Sequence, residues 1–141
     1  MKRPKTYLIT AITFLVIVFL GVWGWNSWAA WEERRLDAAY QQLFPELPLG
    51  ITNRHYAKTE AFTDWTARYR FDGGSEELVK RLIEHYDLVP AEAPFESSDP
   101  APSWWTIPAR TEIYSRGSSH DYSMLVFDPK SRRVLFEQTR N

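Results

Sequence analysis

FTDWTARYRFDGGSEELVKRLIEHY, residues 62–86, changes its period halfway. Up to Asp72 it alternates. Trp65, Ala67, Tyr69 and Phe71 fall on one side; Asp64, Thr66, Arg68 and Arg70 fall on the other. That alternation predicts a half-buried antiparallel strand over 62–72, beginning earlier near Tyr56. Asp72-Gly73-Gly74 is a turn, and Ser75 suits a helix N-cap. Glu76 and Glu77 suit the positive end of the helix dipole. Over 76–87 the step becomes helical, with Leu78, Val79, Leu82, Ile83 and Tyr86 on one face. The helix is expected to cover the apolar side of the sheet. Arg68 and Arg70 are read as an open face, either simply solvated or contacting an anionic partner.

Three short strands are expected downstream, at 110–116, 121–128 and 132–139. Gly117-Ser118-Ser119 and Asp128-Pro129-Lys130-Ser131 separate them, so they read as a meander. Between helix and meander lies a proline-rich loop, 90–108, unsuited to helix or central strand. Loops of this length are functional or disordered more often than casual. The resulting class is α+β: an antiparallel sheet in the order β-α-β-β-β with one helix packed on it.

The N-terminal part is of another kind. Lys2, Arg3 and Lys5 form a short basic tail, 1–5, and no charged residue follows from Thr6 to Ala30. Twenty helical residues span roughly 30 Å, the hydrocarbon thickness of a bilayer. The segment 6–28 is therefore expected to be a transmembrane signal anchor. A cleaved secretory signal is the alternative, because Ser27-Trp28-Ala29 offers small residues at an A-x-A-like site. The apolar run is longer than a signal requires, and helical patterning continues past that site, so an uncleaved anchor is the preferred reading.

Trp23, Trp25, Trp28 and Trp31 lie on several sides of that helix, as a belt at a membrane interface does. Residues 29–44 continue as a juxtamembrane helix until Pro45 and Pro48. The basic tail predicts a cytoplasmic N-terminus and an extracytoplasmic domain, 45–141, which in a bacterium is periplasmic at the inner membrane. A homo-oligomer through the transmembrane and juxtamembrane helix stays open.

Net charge is −1, from 17 basic and 18 acidic residues, which offers no general attraction to nucleic acid. There is no cysteine. That excludes disulfides, thiolate metal sites, cysteine nucleophiles and a lipid on an N-terminal cysteine. Ser119-His120-Asp121 resembles a triad written in a row, but neighbours in a turn do not set a base against a nucleophile. His55, His85 and His120 lack metal-ligand spacing. No catalytic residue, metal or cofactor is expected, and the chain is not read as an enzyme.

Trp104-Trp105 is the sharpest feature outside the membrane segment. Adjacent residues in extended chain face opposite ways. The plain reading is that both pin the loop to the sheet; otherwise one meets lipid headgroups or a protein partner, where Trp is an enriched anchor. Trp104, Trp105, Arg68 and Arg70 are thus the candidate partner contacts.

Trp104-Trp105-x-x-Pro108, a strand at Tyr114, Met124-Leu125-Val126-Phe127-Asp128 and Leu135-Phe136-Glu137 together resemble the C-terminal pattern of small uncharacterised bacterial lipoproteins and membrane-anchored proteins. The resemblance covers residues 104–137 and carries over no functional residue. Some such proteins neighbour or inhibit secreted toxins, which implies an immunity role. The lipobox cysteine of the lipoproteins is missing here, and the helix takes over anchoring. The expected function is non-catalytic binding of another protein, as scaffold, assembly factor or toxin inhibitor. The alternative is a membrane-surface hydrolase or small-ligand-binding domain, resting on His120 and its neighbours.

Overall fold

The computed structural model describes residues 4–44, 50–118 and 120–140. Two compact units divide between Ala38 and Ala39. The first is most of helix α1, Pro4–Leu43. Every side chain described from Tyr7 to Trp31 is exposed, and an 18-residue window reaches a mean hydropathy of 2.3. The helix is long and apolar enough to cross a membrane. Thr13 satisfies its hydroxyl on the Ile9 carbonyl, one turn back.

The second unit is an α+β fold built on one open antiparallel sheet. In chain order its elements are β1 (Thr52–Ala61), β2 (Asp64–Asp72), α2 (Glu76–His85), β3 (Val89–Pro90), β4 (Glu112–Gly117), β5 (Tyr122–Asp128) and β6 (Arg133–Arg140). Their order across the sheet is β1-β2-β6-β5-β4-β3. The four strands expected from the sequence are present, close to their expected bounds. Two edge strands join them. β1 is a full strand that hairpins onto β2 through Phe62-Thr63, where the sequence reads as one strand over 62–72 that extends back unbroken to near Tyr56. β3 is a two-residue bridge to β4.

One face of the sheet is covered by helices. α2 is capped by Ser75, whose Oγ accepts from the Leu78 amide at 3.1 Å, and it buries Leu78, Val79 and Leu82. The last turn of α1 belongs to this unit: Ala39, Tyr40, Leu43 and Phe44 are buried. The Tyr40 ring meets Tyr69 and Phe71 edge-on, at 5.5 and 5.9 Å. Its single hydroxyl proton is shared between the carbonyls of Arg70 (2.7 Å) and His55 (3.1 Å), tying the helix end to β1 and β2. The Tyr86 hydroxyl donates to the Leu43 carbonyl, one of the acceptors a helix leaves open at its C-terminus. Tight turns complete the frame. Gly117 has φ +109°, and a Cβ there would lie 2.1 Å from the Asp121 carbonyl oxygen.

The opposite face is covered as well, by the proline-rich loop. Phe95, Trp105 and Ile107 pack with Ile113 onto Tyr122, Met124, Val126 and Leu135. The sheet is therefore a middle layer, and the open face expected around Arg68 lies beneath this loop.

Candidate functional site

Register places Arg68 of β2 directly opposite Glu137 of β6, both on the loop-covered face. Their side chains are 3 % and 2 % exposed, and Arg68 Nε donates to Glu137 Oε2 at 2.5 Å. The Tyr122 hydroxyl donates to the other carboxylate oxygen. Burial, then the neighbouring carboxylate, pushes the Tyr122 phenol up to about 12. The remaining Arg68 nitrogens donate to the carbonyls of Pro100 and Asp99, each at 3.2 Å. The indole of Trp105 lies over the guanidinium, 5.8 Å to its centroid. A buried pair is tolerable only with such full satisfaction. The arrangement fastens the loop to the sheet by its backbone.

Arg70 repeats the device one step along the strand, donating to the Trp104 carbonyl at 3.0 Å, while its buried Nε lacks a hydrogen-bond partner. Trp104 stacks on His55 of β1, 5.4 Å between centroids. Burial and the Arg70 charge lower the His55 pKa. Both tryptophans are half-buried against the sheet and so hold the loop down. Arg68 is engaged wholly within the chain, and Arg70 largely so. The four residues expected as partner contacts come together in space, but as a clasp.

The most outward feature is one the sequence reading passed over. Phe62, at the tip of the β1–β2 hairpin, is fully exposed and has φ +56°. A bulky residue in the left-handed region is an outlier that costs free energy. Asp64 and Glu60 flank it. A hairpin tip read from sequence would need Gly or Asn there, so an aromatic hides the turn.

His120 is exposed and sits on the rim of a cleft of about 160 Å³, with Asp64, Trp65, Ser97, Asp99 and Tyr122 among its walls. Ser119 lies outside the described residues. No group of His, Asp and Glu able to hold a metal ion occurs among the described residues. The tryptophans expected as a belt, Trp23, Trp25, Trp28 and Trp31, are all exposed on α1, with Trp25 and Trp28 in contact at 5.5 Å. No protein-family model, curated protein or solved structure matches the chain.

Proposed function

We propose that this is a single-pass membrane protein whose sheet domain binds another protein without catalysing a reaction. The observation that carries the reading is Phe62, a fully exposed ring held in a strained turn at the end of the β1–β2 hairpin. Strain of this kind persists where the surrounding structure enforces it, and it clusters at binding sites. Aromatic side chains are enriched as anchors at protein interfaces. Membrane-inserting tips carry Lys or Arg beside the apolar residue; Glu60 and Asp64 beside Phe62 favour a protein over an anionic bilayer.

The apolar helix supports tethering, and Lys2, Arg3 and Lys5 favour a cytoplasmic N-terminus with the domain on the far side, the periplasm in a bacterium. Inhibition of a secreted toxin is one form of this function. It requires a toxin gene beside this one, and death of the deletion strain only when that toxin is present. The direct test is a photo-reactive phenylalanine analogue at position 62 in intact cells. A discrete protein adduct, lost when an excess of this chain with ordinary Phe62 is co-expressed, supports the reading. Adducts to phospholipid alone, or none, overturn it.

The hydrolase or ligand-binding alternative draws on the cleft beside His120. Its test is His120→Ala: loss of the cellular phenotype with an unchanged melting temperature would favour it over the hairpin.

A further inference from the structure

The two edges of the sheet are unlike. β3 is two residues long and ends in Pro90, which has no N–H to offer a further strand. β1 runs for ten residues and, among the described residues, has a neighbour on one side only. An edge of that length presents a row of backbone donors and acceptors to any strand that fits. Its irregularity is confined to one end, between Thr52 and His55, where Asn53 takes φ +50°. From His55 to Ala61 it pairs with β2 residue by residue.

The side chains of β1 divide cleanly. Arg54 lies over the Tyr40 ring, Tyr56 against Tyr69, and Lys58 over Trp65, so 54, 56, 58 and 60 share the helix-covered face. Residues 55, 57, 59 and 61 share the other. We infer that β1 is a homodimer interface, on which a second copy of this chain pairs antiparallel about a two-fold axis at Ala57.

In that register residue numbers facing one another sum to a constant. Arg54 faces Glu60 of the second copy, Tyr56 faces its Lys58, and both pairs recur by symmetry. Opposite charges and cation–ring contacts across strands are favourable; like charges directly opposite are not. The two neighbouring registers fail on this ground. One sets Arg54 against Lys58, and the other sets Lys58 against Lys58. A charged edge strand discourages indiscriminate pairing; a two-fold at Thr59 also sets Lys58 against Glu60, but it joins only residues 57–61, whereas the two-fold at Ala57 joins 53–61 and satisfies both Arg54 and Lys58. Glu60 already bridges to Lys58 of its own strand, so it lies within reach of both cations. Anchoring two copies in one membrane raises their effective concentration and favours the pairing. The dimer leaves the two Phe62 tips at opposite ends of the joined strands, free to engage partners.

The chain has no cysteine, so a single introduced thiol reports the register. Ala57→Cys faces itself across the axis, with Cα atoms about 4.5–5.5 Å apart, inside the reach of a disulfide. In membranes treated with a mild oxidant, most of the full-length Ala57→Cys chain should run as a dimer on a non-reducing gel. Thr59→Cys, which faces His55 in this register, should stay monomeric. With Glu60→Arg added, the Ala57→Cys dimer should fall at least tenfold; with Arg54→Glu added as well, it should return. Near-ultraviolet circular dichroism establishes that each variant keeps its tertiary packing. Equal cross-linking at 57 and 59, cross-linking at 59 alone, none at 57, or indifference to Glu60→Arg in folded protein would each overturn the proposal.

Discussion

Glu137→Gln removes the one negative charge that balances the Arg68 guanidinium and changes little else in volume. The side chains concerned are 3 % and 2 % exposed, so water cannot take the place of the lost partner. The Gln amide has one oxygen and one NH2. Whichever way it turns, a donor faces either Arg68 Nε or the Tyr122 hydroxyl, where a carboxylate oxygen now accepts from each. With the Gln oxygen turned to its Nε, Arg68 still has only neutral acceptors, that oxygen and the Asp99 and Pro100 carbonyls, beside the Trp105 ring. Breaking a buried pair from one side costs about 3–5 kcal/mol. For a folded unit of about 100 residues, each kcal/mol moves the midpoint by roughly 4–8 °C. A fall of at least about 12 °C is therefore expected, read by near-ultraviolet circular dichroism of the full chain in detergent. Arg68→Met combined with Glu137→Met replaces the pair by apolar groups and should recover most of the loss. Limited proteolysis should cut the loop 91–111 faster in the single variant than in the wild type. A single substitution costing under about 1 kcal/mol, or a double variant as unstable as Glu137→Gln, would refute the reasoning.

Other consequences follow from individual contacts. Desolvation alone would raise the Asp72 carboxyl, but hydrogen bonds from Arg133 and Asn53, with the charges of Arg133 and Arg70, outweigh it and hold the pKa below 3.8. That stabilisation is present above pH 3.8 and disappears as pH falls through the lower folded value. Asp72→Asn should therefore flatten the decline in melting temperature below that pH; an unchanged acid profile would contradict it. Leu82→Ala, at 2 % exposure between α2 and the sheet, should cost about 2–5 kcal/mol in chemical denaturation. Phe62→Ser should leave the melting temperature unchanged or higher, since it buries nothing, while abolishing partner cross-linking.

Much of the fold could be read because its local signals agree. The alternation in β2, the Ser75 cap and the apolar face of α2 each report on their own element, and hydrophobic length alone marks α1. β1 was illegible for a physical reason. As an edge strand with polar residues on both faces, TNRHYAKTEA has no hydrophobic period. The clasp was hidden by distance along the chain. Arg68 and Glu137 each sit in the polar phase of a strand, and only the pairing of β2 with β6 makes them opposites. Without that register, polar alternation reads as a solvated face. Trp104 and Trp105 hinted that the loop is pinned down, and they share that work with Arg68 and Arg70.

Tethering is the claim on which the rest depends, and one fractionation tests it. Membranes are washed in alkaline carbonate, and sealed spheroplasts are treated with protease from outside. The account expects the intact 16.6 kDa chain in the carbonate pellet and loss of its sheet domain to the external protease. A chain that starts near Ala30, washes into the supernatant, or survives the protease until the cells are lysed would contradict it.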